Sequence, residues 1–404
     1  MIPVAEAISR ITDAFEPLAS ETVALSDACG RVLALDVVAR TTQPPFDVSA
    51  MDGYAVRAED VQGVPVTLRQ IGAVPAGQQF DGNVGAGETV RIFTGSRLPG
   101  GADSVVMQEN TKADGSEITI LEPVSKARFV RPAGLDFSAG DVGLEAGQRL
   151  TPRAIGYAAS MNHPWLAVRR KPRVAILATG DEIVMPGEPV GPNQIVSSNS
   201  HALAAAVESY GGDPFSLGIA PDERQGLKAM AAGARGADIL VTTGGASVGD
   251  HDLVQSVLGE IGLELDFWKI AMRPGKPLIF GSIGETRLLG LPGNPVSALV
   301  CALIFLRPAI GRMLGLDEDS AACFPARIDR ALAANDERQD YLRANLEASE
   351  SGELAVSPFE RQDSSMISLL ANSEALIVRP PFDPPVSKGD TVKVIPFSSG
   401  VPII

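Results

Sequence analysis

The chain has 404 residues, which exceeds what a single hydrophobic core usually supports, so we expect about two to four domains. Its formal net charge of -15 excludes a nonspecific nucleic-acid binder, because neutralising phosphates requires a surplus of Lys and Arg. The three cysteines, Cys29, Cys301 and Cys323, are scattered and odd in number, which argues against a disulfide framework and for a reducing compartment.

The first predicted element is an amphipathic helix at the N-terminus. Apolar residues recur there at spacings of four and three, on one face: Val4, Ile8, Ile11, Phe15 and Leu18. The segment lacks the basic stretch and apolar core of a secretory signal. From residue 40 to 140, short runs such as VPVTLRQI, ETVRIF and SVVMQE alternate with turns rich in Gly and Pro, which predicts a small all-β domain.

Strands and helices alternate from residue 172 to residue 314. The predicted strands are PRVAILATG, DPFSLGIA, ADILVTTGG and LELDFWKIA. The predicted helices cover residues 199–210, 222–235, 251–260 and 294–314. This alternation predicts a doubly wound, mainly parallel sheet with helices on both faces. The apolar run 296–306 is too short to span a bilayer and has the length of a buried core helix.

The last part of the chain changes pattern again after about residue 320. ARIDRAL, YLRANLEAS, GELAVSPF, ALIVRPP and TVKVIPF have the length and composition of strands, which predicts a small closing β-domain.

Unusual loops follow the strands of the α/β region: ATGDE (178–182), TTGGASVGD (242–250), RPGKP (273–277) and GLPGNP (290–295). Ligands of doubly wound sheets bind beyond the carboxyl ends of the strands, where glycine lets the backbone approach them. Lys269, Arg273 and Lys276 add positive charge in this part of the chain. Any one loop is also explained as an ordinary turn or helix cap, but together they predict an anion site.

Acidic residues accompany two of these loops, namely Asp181, Glu182, Asp250 and Asp252. Their hard oxygen atoms suit Mg²⁺, which uses one or two carboxylates together with substrate phosphates. Helix capping is the alternative for each acid taken singly, and His251 is expected to be a surface or capping residue. In the β-domain, residues 44–57 and 92–109 read by themselves as hairpin turns.

Six motifs in order identify a resemblance that covers essentially the whole chain. They are SAMDGYAVR, FTGSRLPGGADSVVMQE, ATGDEIV, TTGGASVGDHD, RPGKP and GLPGNPVSA. In this order they resemble the MoeA-type molybdopterin molybdenumtransferases, a family related to the E domain of gephyrin. The implied fold is multidomain α/β plus β: a central α/β domain of the molybdopterin-binding type, an inserted small β-domain and a C-terminal β-barrel-like domain. The implied boundaries are 1–43 with 138–168 for a linking and dimer domain, 44–137 for the insert, 169–318 for the α/β domain and 319–404 for the C-terminal domain.

The resemblance also implies an activity. Adenylylated molybdopterin and molybdate would react, with Mg²⁺, to give the molybdenum cofactor and AMP. The implied assembly is a cytoplasmic homodimer whose site is shared between subunits, with contact to a molybdopterin adenylyltransferase and none to nucleic acid or membrane. No covalent protein nucleophile is needed, because the sulfur ligands of molybdenum belong to the pterin dithiolene.

Motifs and resemblance together assign the site residues. The expected catalytic positions are Asp52, Thr94, Asp136, Glu182, Asp222, Asp252, Lys269, Arg273 and Lys276. The expected substrate-binding positions are Thr179, Gly180, Asp181, Gly244, Gly245, Ser247, Gly249, Pro277, Pro292, Asn294, Arg343 and Ser365. The expected metal ligands are Asp222, Asp250 and Asp252. For the serine that contacts molybdate, Ser364 remains an alternative to Ser365.

Two other functions are compatible with parts of the sequence. A molybdopterin adenylyltransferase would share the α/β domain, but it lacks the MDGYA β-domain and the C-terminal domain. A noncatalytic, gephyrin-like scaffold would bind peptides of a receptor. We expect the enzyme, since the chain shows neither the linker nor the adenylylating domain of such a fusion.

Overall fold

The structure is a computed structural model that describes residues 1–75, 77–244, 253–260, 262–316, 322–348 and 353–397. The first elements are α1 (Val4–Asp13), β1 (Ser20–Ala24) and β2 (Val37–Val38). The predicted apolar stripe is confirmed at Val4 and Ile11, which are buried, but the helix ends at Asp13, so the predicted positions Phe15 and Leu18 follow it; Phe15 is buried as well. They belong to the same hydrophobic cluster as the α/β domain, so α1 packs on that domain.

The insert is an all-β domain, as predicted. Its strands are β3 (Val48–Ser49), β4 (Gly53–Val56), β5 (Val66–Val74), β6 (Glu88–Ile92), β7 (Ser104–Met107), β8 (Thr111–Asp114), β9 (Glu117–Ile120) and β10 (Val130–Arg131). Their main sheet has the order β7–β4–β6–β5–β9–β8, and β3 pairs separately with β10. Alternate residues such as Val56, Leu68 and Ile118 form its core. This packing fixes the turns that carry Asp52 and Thr94 at its surface.

After the insert the chain returns to its N-terminal part. The returning elements are β11 (Val142–Leu144), α2 (Pro152–Ser160) and β12 (Trp165–Arg169). β11 pairs with β2 and β12 pairs with β1, both antiparallel. Thr151 caps α2 by accepting a hydrogen bond from the amide of Ala154, and Pro152 occupies the first turn, where its missing N–H costs nothing.

The α/β domain follows. Its strands are β13 (Arg173–Thr179), β14 (Ile183–Val184), β15 (Ile195–Val196), β16 (Asp213–Ala220), β17 (Ile239–Thr243), β18 (Leu263–Lys269), β19 (Met272–Arg273), β20 (Pro277–Ile283) and β21 (Thr286–Leu291). Its helices are α3 (Asn199–Tyr210), α4 (Arg224–Ala231), α5 (Leu253–Glu260), α6 (Pro295–Cys301) and α7 (Arg307–Met313), with a π-helical segment at Ala302–Leu306.

The central sheet has the order β16–β13–β17–β21–β20–β18. β16, β13, β17 and β21 pair in parallel, whereas β20 is antiparallel to both of its neighbours. One face packs on α1, α3, α6 and α7, and the other packs on α4 and α5. The predicted doubly wound, mainly parallel sheet is therefore confirmed. β20 (Pro277–Ile283) is a strand that the sequence pattern does not predict.

The most apolar helical stretch of the chain lies inside this domain. Pro295–Met313 is long and apolar enough to cross a bilayer, with a mean hydropathy of 1.6, but 78% of its apolar window is buried in the fold. Val296, Phe305 and Ile310 pack in the main core. The prediction of a buried core helix is confirmed.

The C-terminal domain is a closed barrel. Its elements are β22 (Phe324–Ile328), β23 (Gln339–Ala348), β24 (Leu354–Pro358), α8 (Ile367–Ala371), β25 (Ala375–Arg379) and β26 (Thr391–Pro396). The strands close in the order β23–β24–β22–β26–β25 and back to β23. β19 of the α/β domain pairs with β23, so the segment that includes the first residue of RPGKP, Arg273, extends the sheet of this barrel. The barrel is thereby attached beside the loops of the α/β sheet.

Candidate functional site

The loops predicted to form a site meet at one edge of the central sheet. Strands β13, β16, β17 and β21 end there at Thr179, Ala220, Thr243 and Leu291. β20 begins at the same edge with Pro277, opposite Lys269. A cavity of about 610 Å³ opens between these ends. Its lining contains the predicted residues Thr179, Glu182, Gly244, Pro277, Pro292, Asn294 and Ser365.

The floor of this cavity is formed by Thr179 and Gly244. Thr179 is 3% exposed, and its Oγ1 has no hydrogen-bond partner among the described residues. Gly244 has a φ of 92°, and a Cβ there would lie 2.5 Å from the carbonyl oxygen of Thr179. A buried hydroxyl without a partner is costly, so a ligand oxygen or nitrogen that bonded Thr179 would remove this cost.

Asn199 is a cavity residue that the sequence analysis treated only as a helix start. Its Nδ2 donates to Thr243 Oγ1 at 2.8 Å and to the carbonyl oxygen of Gly293 at 2.7 Å. It therefore ties the loop after β17 to the loop after β21. Polar residues at the start of a helix on the carboxyl edge of a sheet were the signal that would have identified it.

Of the predicted acids, Glu182 lines the cavity, whereas Asp181 and Asp222 lie outside the set of lining residues, on the loops after β13 and β16. The amide of Asp222 donates to Asp181 Oδ1 at 3.1 Å, which joins the loop after β16 to the loop after β13. The carboxylate of Glu182 covers Gly180, where a Cβ would come within 2.4 Å of it. All three carboxylates are exposed, and the described hydrogen bond brings Asp181 and Asp222 together.

The acidic set fits a metal ion only in combination with substrate. The described residues contain no group of three His, Cys, Asp or Glu side chains arranged to hold a metal. Mg²⁺ commonly takes one or two carboxylates and completes its shell with phosphate oxygens and water, which the pair Asp181 and Asp222 satisfies. Other predicted positions lie outside the described residues: Gly245, Ser247, Gly249, Asp250, His251 and Asp252.

The predicted cations differ in their surroundings. Lys276 is exposed, and Lys269 is half-buried with its Nζ 3.8 Å from the centre of the Trp268 ring. Arg273 instead contacts the barrel: its guanidinium donates to Asp336 at 3.1 Å and forms an ion pair with Asp340. The structure therefore directs Arg273 to the C-terminal domain, beside the pairing of β19 with β23.

The acids that hold Arg273 have pKa values shifted in opposite directions. Hydrogen bonds from Arg338 are the main cause that lowers the pKa of Asp336 to about 2, and the charge of Arg273 adds to it. Burial raises the pKa of Asp340, against the opposing effect of Arg273. The Oδ1 atom of Asp340 has no hydrogen-bond partner among the described residues. The junction between the loop and the barrel is thus polar and buried on its Asp340 side.

The barrel contributes one wall of the cavity through the loop before α8. Ser365 lines the cavity, and its hydroxyl donates to Asp363 Oδ1 at 2.6 Å. Ser364 Oγ accepts from Asn294 Nδ2 at 2.8 Å, outside the set of lining residues. Arg343 lies behind this loop and is only 1% exposed, and its Nη1 donates to the carbonyl oxygen of Met366.

The predicted residues of the insert form a second, separate group. Asp52 Oδ1 accepts hydrogen bonds from the amide of Thr94 at 2.7 Å and from its hydroxyl at 2.9 Å. These bonds hold the pKa of Asp52 below its usual value. Asp136 lines a different cavity, of about 590 Å³, together with Gly95, the residue after Thr94. All three predicted residues are exposed, and none of them lines the cavity at the sheet edge.

Three family models match consecutive parts of the chain. Residues 2–162 match the MoeA N-terminal region (domain I and II), and residues 175–312 match a "Probable molybdopterin binding domain". Residues 325–397 match the MoeA C-terminal region (domain IV). The matched ranges follow the changes of architecture along the chain.

Relatives and solved structures cover nearly the full length. The chain is 36% identical to a molybdopterin molybdenumtransferase of Haemophilus influenzae over 385 residues, which is 95% of each chain. It is 36% identical to one of Nostoc over 386 residues, 93% of this chain and 88% of that protein. A crystal structure of a molybdopterin biosynthesis MoeA protein from Pyrococcus horikoshii superposes with a TM-score of 0.85 at 31% identity, covering 99% of this chain and 100% of that one.

Proposed function

The chain belongs to the MoeA family, whose members are transferases of molybdenum-cofactor biosynthesis, and we propose that it inserts molybdate into adenylylated molybdopterin with release of AMP. The cavity at the carboxyl edge of the α/β sheet is the observation that carries the proposal. It combines a buried hydroxyl that has no partner among the described residues, a lining glycine and the carboxylate of Glu182, all on the domain that matches the molybdopterin-binding model.

Each part of the cavity has a task in this reaction. Thr179 and the backbone near Gly244 would bind the polar edge or phosphate of the pterin nucleotide. Asn199 would hold the end of β17 and the loop after β21 in a fixed position relative to each other. Asp181 and Asp222 would hold Mg²⁺, which when bound neutralises the pyrophosphate of the substrate and polarises it for cleavage. Lys276 and the buried charge of Arg343 would attract molybdate, a dianion.

The two separate groups of predicted residues support a proposal on assembly. Asp52, Thr94 and Asp136 are exposed on or beside the insert, while the cavity lies at the α/β sheet. We propose that the protein is a homodimer in which the insert of one subunit completes the cavity of the other. An exposed polar group such as Asp52 can act in a reaction only if bound substrate faces it. In a dimer, the open cavity at the α/β sheet of the second subunit would place the substrate there.

The other expectations follow as parts of the same proposal. We propose a cytoplasmic protein that receives its substrate from a molybdopterin adenylyltransferase and binds neither nucleic acid nor membrane. The adenylyltransferase function itself is not favoured, since the relatives named molybdenumtransferases match through the insert and the barrel as well. A scaffold function would give no role to the polar residues that line the cavity.

Measuring AMP release tests the proposed reaction. Purified protein would be mixed with adenylylated molybdopterin and Mg²⁺, with and without molybdate, and AMP would be quantified. We expect release that depends on both Mg²⁺ and molybdate and that is lost when Glu182 is changed to Ala. Tight binding of molybdopterin without AMP release would indicate a carrier or scaffold and would overturn the proposal.

A further inference from the structure

Arg343 is a buried cation held by neutral groups. It is 1% exposed, and its guanidinium donates from Nε to Gln362 Oε1 at 3.2 Å and from Nη1 to the carbonyl oxygen of Met366 at 3.3 Å. No ion pair to Arg343 occurs in the part of the chain that the structure describes. Burying a charge without an ion-pair partner is costly, so the fold retains a positive charge here that no described ion pair neutralises.

Gln362 fixes this residue through both ends of its side-chain amide. Its Oε1 accepts from the amide nitrogen and from Nε of Arg343, and its Nε2 donates to the carbonyl oxygens of Arg343 and Phe359 at 2.9 and 3.0 Å. A carboxamide can donate and accept at once, which a carboxylate cannot do. The backbone and the guanidinium of Arg343 are therefore held by one neutral side chain.

Asp363, an acid whose charge acts on Arg343, forms its hydrogen bonds elsewhere. Asp363 Oδ1 accepts from the amide of Ser365 at 2.8 Å and from its hydroxyl at 2.6 Å, and these bonds lower the pKa of Asp363. Asp363 affects Arg343 only through its charge, while burial lowers the pKa of Arg343. The carboxylate is thus used to shape the loop rather than to pair with the guanidinium.

The charge lies directly behind the cavity wall. Met366, whose carbonyl oxygen accepts from Arg343, stands between Ser365 and Ile367, and both of these line the cavity. A positive charge in this position, screened by little water, acts on any anion that enters from the other side of the loop.

We propose that Gln362 is a positioning residue for Arg343. Gln362 holds the buried guanidinium behind the cavity wall without neutralising it, and so leaves the positive charge available to attract a small oxyanion substrate. The inference rests on the proposed function, in which that oxyanion is molybdate. Gln362 touches no reacting atom in this scheme. It acts through Arg343.

The change Gln362→Glu tests the inference because it keeps the size of the side chain and adds one negative charge beside Arg343. We expect the KM for molybdate to rise about tenfold to a hundredfold, because the added carboxylate cancels the positive charge of Arg343, which water screens poorly. The KM for adenylylated molybdopterin should stay unchanged. The midpoint of thermal unfolding should fall somewhat, because the carboxylate loses the two donor bonds to the carbonyl oxygens of Arg343 and Phe359, so the deciding readout is the difference between the two KM values. The matched control is Gln148→Glu, at an exposed glutamine whose Oε1 also accepts a backbone N–H.

A second variant separates positioning from charge. Gln362→Met keeps volume but removes all hydrogen bonds, so it should lower both the unfolding midpoint and the affinity for molybdate. If Gln362→Glu leaves the KM for molybdate within about twofold of the wild type, or raises both KM values equally, a charge-preserving role is wrong.

Direct binding of molybdate keeps this inference distinct from the proposed function. Equilibrium dialysis of the full protein against molybdate needs no turnover. If the wild type releases no AMP but binds molybdate and Gln362→Glu loses that binding, the transferase proposal fails and the inference holds. If the wild type releases AMP and both proteins bind molybdate equally, the inference alone is overturned.

Discussion

The edge of the α/β sheet and the surface of the insert carry their predicted residues in opposite ways. At the sheet edge, polar groups line a cavity, and the Oγ1 atom of Thr179 is buried without a partner among the described residues. On the insert, Asp52 is exposed and already satisfied by Thr94. The first region offers polar groups to a small ligand. The second is an ordered surface that would take part in a reaction only if another surface covered it.

Buried polar atoms without partners are costly, so the sheet edge gains from binding a ligand within one chain. On the insert, the Asp52 carboxylate already accepts two hydrogen bonds from Thr94. The comparison therefore favours a site built from two chains, with the cavity from one subunit and the Asp52 surface from the other.

The largest effect is expected at the acids of the sheet edge. Asp222→Asn should reduce AMP release about a hundredfold, because it weakens the carboxylate pair that would hold Mg²⁺ against the pyrophosphate. Raising the Mg²⁺ concentration should restore part of the loss. Asp213→Asn is the matched control, since Asp213 starts the same strand at the opposite edge of the sheet. A loss of less than threefold in Asp222→Asn, or an equal loss in both variants, would contradict the assignment of Asp222 to the metal.

A smaller but still clear effect is expected from Gly244→Ala. The new Cβ would lie 2.5 Å from the carbonyl oxygen of Thr179, and the φ of 92° is unfavourable for alanine. We expect the free energy of unfolding to fall by about 1–3 kcal/mol, and substrate binding to weaken because the cavity floor moves.

The control for this change is Gly140→Ala. Gly140 has a φ of 96°, but no atom lies within 4 Å of the position of its Cβ. Denaturant unfolding and the KM for adenylylated molybdopterin should be measured for both variants. Equal effects on both quantities would show that backbone strain alone explains the result and that Gly244 has no role in shaping the cavity.

The smallest effect is expected on the insert. Thr94→Val removes the hydroxyl donor to Asp52 but keeps the amide donor, so the pKa of Asp52 should rise toward its ordinary value. A carboxyl group whose pKa is lower in the folded protein than in the unfolded chain stabilises the folded state at pH values above the unfolded pKa. This stabilisation is lost as the pH falls through the folded pKa. The pKa of Asp52 lies in the acidic range with or without the Thr94 hydroxyl, so the pH dependence of activity between about pH 6 and 8 should be unchanged.

Carbon-detected NMR of labelled aspartate would follow Asp52 directly. Thr67→Val, which removes a hydroxyl paired with Thr119 elsewhere on the insert, should leave the Asp52 titration unchanged. An unchanged pKa of Asp52 in Thr94→Val would mean that the hydroxyl bond is absent in solution.

The sheet edge was largely predictable from sequence because of topology. Parallel strands bring their carboxyl ends to one edge, so ATGDE, TTGG and GLPGNP had to meet once the alternation of strands and helices was recognised. Gly244 and Thr179 were named for this reason, and the structure brings them into contact.

Other features depend on contacts between distant segments, which a single sequence does not show. Asn199 looked like a helix start, but it bridges Thr243 and Gly293. The partners of Arg273 lie more than sixty residues away in the barrel, so its attachment to Asp336 and Asp340 was not foreseen. For Asp52 and Thr94 the residues alone indicated only turns, and the family resemblance supplied the expectation of a role.

The most direct test of the two-chain site mixes two inactive proteins. Asp52→Ala removes the function of the insert, and Glu182→Ala removes that of the sheet edge. If the site is shared between subunits, random reassembly of equal amounts gives mixed dimers in half of the population, each with one intact site, and hence about a quarter of wild-type AMP release. No recovery after verified subunit exchange would contradict a site built from two chains.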